Sequence, residues 1–248
     1  KERDSDEGMQ KIKVEDFAIA DTPITVFQYA IYCSITQKRN VIEFISRNQG
    51  TTHPLVLTNW YEAIEYCNWL SLQHNLLPVY EIDKDNKDPL NASSFDLLKW
   101  TVTVIPNTNG YRLPTESEWE YAARSAKSIE KNSYLSSHYV YAGSNDIDEV
   151  AWYTKNSKNH TWPVKQKKSN VAGLYDMSGN VYEWCSDWYG ENYYKASPSN
   201  NPKGPSSGAK HVLRGGGWYV KAAYSRVSHR NSGYGINSVV GFRLALSQ

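Results

Sequence analysis

Residues 130–240 place the tightest limit on what this chain can fold into. The stretch is rich in Ser, Asn, Gly, Tyr and Trp, and neither a helical nor a strand period runs through it. Only short strand-like pieces stand out: AWY at 151–153, VLRG at 212–215, and GFRLAL at 241–246 just beyond. Such a region has to be carried as long loops on a small scaffold of helices and strands. Rings supply much of its apolar mass. The chain has 19 Tyr, 9 Trp and 5 Phe, so 33 of 248 residues are aromatic. That load excludes a disordered, charge-dominated chain.

The scaffold is legible before the loops begin. Residues 22–36 predict a helix, with Val26, Phe27, Ala30, Ile31 and Ser34 near one face. Residues 58–73 predict a second. Trp60, Ala63, Ile64 and Cys67 fall at i, i+3, i+4 and i+7, Thr58 or Asn59 serves as N-cap, and Pro78 closes the region. WTVTVI at 100–105 alternates as a short strand does, and 107–110 is a turn cluster. Thr115 and Glu118 then form a T-x-x-E capping box, with Trp119, Ala122 and Ala123 as the buried face of a third helix. No clean linker interrupts the chain, so 1–248 reads as one domain.

Several function classes drop out. No run of 18 apolar residues exists to span a bilayer. KERDSDEG at the start is neither a signal peptide nor a lipidation signal. A net charge of +1 is not that of a dedicated DNA-binding protein, so no nucleic-acid partner is expected. Cys33, Cys67 and Cys185 lie far apart without a CxxC, and the six His never pair at ligand spacing. A structural zinc site is therefore not expected. Buried free thiols are favoured over one disulfide.

The charge is unevenly spread. Residues 192–248 contain no Asp or Glu but hold eight Lys and Arg, leaving 19 − 26 = −7 for the first 191 residues. Either the two parts pair their charges in packing, which is favoured, or the C-terminal part offers a basic surface to an acidic partner.

Five stretches, taken in order, resemble the formylglycine-generating-enzyme-like (sulfatase-modifying factor) family. They are HPLVLTNWYEAIEYCNWL (53–70), YRLPTESEWEYAAR (111–124), GLYDMSGNVYEW (173–184), NPKGPSSG (201–208), and RGGGWY with GFRLAL (214–219 and 241–246). The resemblance implies an α+β chain with an elaborated C-type lectin fold: a small twisted antiparallel sheet, two main helices and long irregular loops. It also implies a calcium set at Asp176, Glu183 and the carbonyls of Gly179 and Val181, an all-oxygen group suited to a hard cation. The competing reading pairs Glu183 with Arg226 or Arg243. No cofactor is otherwise required.

The family's copper-dependent oxidation needs two cysteines after the glycine-rich motif, since thiolates hold the soft cuprous ion. Residues 218–243 contain none, and Cys185 lies upstream. A non-haem iron relative would need a His cluster. Ser228 and His229 are neighbours, which points them to opposite faces of a strand. A non-enzymatic reading follows, with a metal-dependent oxidoreductase of the same family as the alternative. A calcium-dependent sugar site is disfavoured, because the last 57 residues lack any carboxylate.

Between Tyr219 and Val240, 11 of 22 residues are Tyr, Ser, Gly or Asn. Tyr gives rigid contact area at low entropic cost, and the small polar residues give adaptable hydrogen bonds. This arrangement resembles the variable proteins of diversity-generating retroelements, the Treponema variable proteins above all. In those, a C-terminal region is rewritten at Asn codons to bind diverse ligands. The resemblance implies a receptor whose variable region lies within 214–248. Its candidate contacts are Tyr219, Ala223, Tyr224, His229, Asn231, Ser232, Tyr234, Asn237 and Ser238. Trp218, Arg226, Arg230, Gly241, Phe242 and Arg243 would be the constant frame, with Arg226 and Arg230 paired to carboxylates such as Asp187. A protein or other macromolecular ligand, a monomeric receptor, and a cell-surface location through a lipid-anchored precursor are expected with it.

Overall fold

Three capping boxes start the three main helices. The computed structural model describes residues 12–40, 49–125, 139–235 and 238–247. After strand β1 (Phe17–Ile19) comes α1 (Val26–Thr36), where Thr25 and Gln28 cap each other's backbone amides. Asn59 and Glu62 do the same for α2 (Trp60–Gln73), and Thr115 and Glu118 for α3 (Glu116–Ala123). Each box satisfies two amide donors that a helix N-terminus leaves unpaired.

Helix α2 buries Trp60, Ala63, Ile64 and Cys67, as its spacing requires. Helix α1 corrects the expected face. Val26, Tyr29, Ala30 and Cys33 point inward, while Phe27, Ile31 and Ser34 are exposed. The rings decide it: Tyr29 stacks on Tyr66 of α2 at 5.4 Å, and Tyr32 meets Tyr66 and Trp69 at 5.5 and 5.2 Å.

Among the described residues the strands form three sheets. β2 (Tyr80–Lys87) and β3 (Trp100–Val104) make a two-stranded ribbon. β4 (Tyr111–Arg112) and β1 flank β9 (Ala245–Ser247), so the two ends of the described chain share a sheet. The third sheet runs β7 (Asn231–Gly233), β6 (His211–Arg214), β5 (Tyr182–Trp188), β8 (Val240–Gly241), with β5 and β8 parallel. A single antiparallel sheet is thus replaced by three small ones. The expected strand at 151–153 is irregular, since the Trp152 carbonyl bonds the Asn180 amide instead of a ladder. GFRLAL breaks between β8 and β9, where the Phe242 and Leu244 carbonyls take the amides of Ile24 and Ala20.

The tryptophans hold the core by both area and hydrogen bonds. Trp60 donates to the Cys185 carbonyl at 2.9 Å, Trp184 to Thr58 at 3.2 Å, and Trp119 to the Glu183 carboxylate at 2.7 Å. Each of these three bonds avoids a penalty of about 1–3 kcal/mol for an unpaired buried donor, whereas the Trp69 and Trp152 indole N–H groups are buried without a partner among the described residues. His211 sits between Trp60 and Trp188, 3.9 Å from each ring, and burial presses its pKa down to about 3. Its neutral ring therefore completes a three-ring stack. All three cysteines are free and buried.

Candidate ligand-binding surface

The surface begins where β6 ends. Gly215 and Gly216 take φ values of +92° and +76°, a region that favours glycine. A Cβ on Gly216 would lie 2.8 Å from Ser225 Cα and 2.9 Å from the Tyr224 carbonyl. The chain turns there and crosses its own backbone. It is then pinned: the Trp218 amide donates to Asn180 O at 2.8 Å, Ser157 donates to Trp218 O at 2.8 Å, and the Thr154 amide to Val220 O at 3.1 Å. A short 3-10 turn, Ala222–Ser225, follows.

Below this segment lies a frame of buried charge. The Arg214 guanidinium donates to the carbonyls of Val227 at 2.9 Å and His229 at 2.7 Å. It also pairs with Glu120 and stands 3.6 Å from Glu116. Arg230 forks onto both oxygens of Glu116 at 2.7 and 2.8 Å, with the Tyr189 and Tyr194 rings 4.9 Å away. Arg243 forks onto both oxygens of Glu183 at 2.6 and 2.7 Å. Arg214, Arg230 and Arg243 are thus paired with acids from the earlier part of the chain, the favoured of the two readings of the uneven charge.

The chosen acid differs from the expectation. Arg230 takes Glu116 rather than Asp187, and the Arg226 Nε donates to the Ala223 carbonyl at 2.9 Å. Asp187 instead accepts the Glu116 amide at 2.9 Å and the Ser186 hydroxyl at 3.0 Å. Burial, and then Glu116 beside it, push its pKa up to about 7. The other Asp187 oxygen is buried without a hydrogen-bond partner among the described residues, whereas Glu116 faces two arginines.

Above the frame the rings turn outward. Tyr219, Tyr224 and Tyr234 are 42%, 45% and 40% exposed. Ala223 and Ser238 are exposed too, and Asn231 and Ser232 are half-buried. Tyr182, itself buried, ties the patch together: it hydrogen-bonds Asn231 and lies 6.3 Å from the Tyr219 ring. His229 is a correction. It is 7% exposed, packed edge-on against Tyr224 at 5.0 Å, so it belongs under the surface. Asn237 lies outside the described residues. Of the frame residues, Arg230, Gly241, Phe242 and Arg243 are buried, and Trp218 and Arg226 are half-buried.

The sequence reading missed Phe95, which stacks on Tyr234 at 5.2 Å with 16° between the rings. It lies in the β2–β3 loop, where no periodic pattern marks it. The only signal is FDLL, an apolar cluster among turn-forming residues.

The two carboxylates of the calcium expectation are already engaged by protein donors. Both Glu183 oxygens are engaged by Arg243, and one also accepts from Trp119. The Asp176 oxygens accept from the Lys165 amide at 3.0 Å and Asn180 at 3.1 Å. Burial raises the Asp176 pKa, and the bonds from Lys165 and Asn180 oppose that shift. Among the described residues no group of three His, Cys, Asp or Glu could hold a metal.

Comparison with known proteins completes the description. The sulfatase-modifying factor enzyme 1-like domain matches residues 1–248. The chaperone protein LppX of Paenibacillus barcinonensis is 39% identical over 198 residues, 73% of this chain and 64% of that protein. A formylglycine-generating enzyme of Streptomyces coelicolor is 37% identical over 155 residues, 58% of this chain and 49% of that enzyme. Each match thus spans less than two thirds of the relative's own length. Treponema denticola variable protein 1 superposes with a TM-score of 0.78 at 31% identity, over 96% of this chain and 86% of that one. The fold is therefore α+β, of the C-type-lectin kind found in formylglycine-generating enzymes and variable proteins.

Proposed function

This chain belongs to the sulfatase-modifying factor enzyme 1-like family, and from that premise we propose that it is a non-enzymatic receptor. Its surface within 214–248 is diversified and binds a protein or other macromolecular ligand. The observation that carries this reading is the split at the C-terminal end. Tyr219, Tyr224 and Tyr234 are each about two-fifths exposed, while Arg214, Arg230 and Arg243 beneath them are buried and paired. Rings at the surface vary without cost to the fold, and arginines below it do not. The likeness to a variable protein supports the reading further.

The second reading, a metal-dependent oxidoreductase, draws on the formylglycine-generating enzymes among its relatives. The thiols weigh against it. Cys67 and Cys185 are buried, and burial pushes both well above the usual thiol range. Protonated, inaccessible sulfur is a poor ligand for a soft ion. No cofactor is part of the proposal, and the receptor acts as a monomer. A diversified receptor is useful outside the cell, so we place it at the cell surface, held by a lipid on a precursor form. No helix among the described residues is long and apolar enough to cross a membrane.

Resequencing the locus in sibling isolates tests the proposal. Substitutions should gather at Tyr219, Ala223, Tyr224, Asn231, Ser232, Tyr234, Asn237 and Ser238, with Trp218, His229 and Arg230 constant. Changes scattered through 1–213 would contradict it.

A further inference from the structure

We propose that the 88–99 loop between β2 and β3 is a fixed, apolar half of the ligand-binding surface. It takes a protein segment that presents aliphatic or aromatic side chains beside carboxylates. The inference rests on the C-terminal surface being a binding surface, and it extends that surface beyond residues 214–248.

The loop is folded with its polarity reversed. Asn91 and Ser93 are buried, while Phe95 is 66% and Leu97 89% exposed, with Leu90 and Leu98 also outward. Its polar atoms are used internally. Asn91 accepts the Ser93 amide at 2.9 Å, and Ser93 accepts the Asp96 amide at 3.1 Å. One Asp96 oxygen accepts the Leu98 and Lys99 amides at 3.0 and 3.3 Å. The other accepts the Tyr61 hydroxyl at 2.9 Å and the Asn91 amide group at 2.8 Å. A loop closed by its own side chains is ordered before any partner arrives, so binding loses little conformational entropy at the loop. Polar residues inside and leucines outside are the reverse of a solvated loop, and clustered exposed apolar side chains mark interaction sites.

The loop is also joined to the C-terminal surface. The Ala92 amide donates to Gly208 O at 2.9 Å, and the Gly208 amide to Leu90 O at 3.2 Å. Phe95 stacks on Tyr234, so a ring of the 88–99 loop and a ring of the diversified stretch form one platform.

Charge selects the partner. Asp96 is turned in and fully hydrogen-bonded, so it contributes little outward negative potential. Lys210 is exposed, its Nζ 5.7 Å from the Tyr234 ring centre. Residues 192–248 hold no carboxylate to offset it, and Asp88, the second acid of the 88–99 loop, is half-buried and accepts the Leu90 amide at 2.8 Å. Outward leucines suit side chains better than sugar hydroxyls, and Lys210 beside Tyr234 favours a carboxylate at that end of the partner segment.

A random dodecapeptide phage library panned on the full chain supplies the probe, with enriched peptides synthesised and their Kd read by fluorescence anisotropy. The expected peptides combine Leu, Ile, Phe or Trp with Asp or Glu. Phe95→Ser/Leu97→Ser should weaken them about tenfold or more, and Lys210→Glu should weaken them too at unchanged Tm. Leu97→Ser alone, at a position 89% exposed, gives the same direction if the double variant fails to fold. Peptides that lose affinity on Tyr219→Ala/Tyr224→Ala but not on the loop variants overturn the inference and leave the C-terminal surface standing. Peptides indifferent to both sets overturn both. Failure to enrich any peptide, or enrichment of basic polar ones, overturns the loop's role.

Discussion

Glu183→Gln is expected to destabilise the folded chain by about 3–5 kcal/mol, the usual cost of leaving one member of a buried ion pair alone. Glu183 and Arg243 have fully buried side chains. Arg243 also donates to the carbonyls of Ala20 at 3.0 Å and Tyr175 at 2.9 Å, so three separate segments meet on one guanidinium. Those carbonyls satisfy N–H groups but cannot neutralise the charge. Glu183 in turn accepts the Trp119 indole, which ties α3 to β5. For a chain of this size the loss reads as a fall in Tm of roughly 10 °C. Arg243→Met should cost a similar amount, and the pair Glu183→Leu/Arg243→Met less than the sum, because neither charge is then left buried. The same experiment addresses calcium. Arg243 takes both Glu183 oxygens, so chelation is expected to leave the wild-type Tm unchanged. A drop of several degrees on chelation would show that the carboxylate serves a metal instead.

Gly216→Val is expected to cost about 3 kcal/mol and to abolish ligand binding. Two terms contribute. The φ of +76° is a conformation that costs an L-residue roughly 1–2 kcal/mol. The new Cβ also runs into Ser225, 2.8 Å from its Cα as well as against its hydroxyl, and overpacking of that kind costs about 1–3 kcal/mol. Backbone is the obstacle, so no rotamer change relieves it. The segment that must move is Tyr224–Ser225, and Tyr224 is one of the exposed rings. Binding should therefore fall further than the stability loss alone explains. At Gly173, by contrast, a Cβ meets nothing within 4 Å. There the positive φ is the only penalty on a Cβ, and Gly173→Ala should leave binding intact.

How much of this was legible beforehand depended on whether neighbours in sequence decide the structure. All three capping boxes are local, and Thr115 with Glu118 was readable as one because both partners sit within four residues. The inward face of α2 was readable because Trp60, Ala63, Ile64 and Cys67 keep helical spacing, although Tyr61, Glu62 and Tyr66 off that face are buried as well. Helix α1 carries apolar residues around much of its circumference. Tyr29 and Tyr32 faced inward because Tyr66 and Trp69 waited for them, which no period within 22–36 reveals. The outward set of Tyr219, Tyr224 and Tyr234 followed from composition, since small polar residues between rings suit a surface. His229 did not follow. Its place beneath Tyr224 is set by the Arg214 and Arg230 frame, whose partners lie about a hundred residues away in sequence on α3. Glu116 looked like an ordinary acid in a first helical turn, yet it is nearly fully buried and faces two arginines. The 88–99 loop stayed hidden for a related reason. Its reversed polarity is visible only once Asn91, Ser93 and Asp96 are seen bonding inward.

The account separates a frame that carries stability from rings that carry recognition. The most direct measurement is Tyr219→Ala/Tyr224→Ala/Tyr234→Ala, scored for both Tm and affinity toward peptides selected on the wild-type chain. Substitutions at exposed positions away from core features usually stay within about 0.5 kcal/mol each. The triple variant should therefore melt within about 5 °C of wild type and lose peptide binding. A fall in Tm as large as that of Glu183→Gln, or binding that survives all three replacements, would contradict the division between frame and surface.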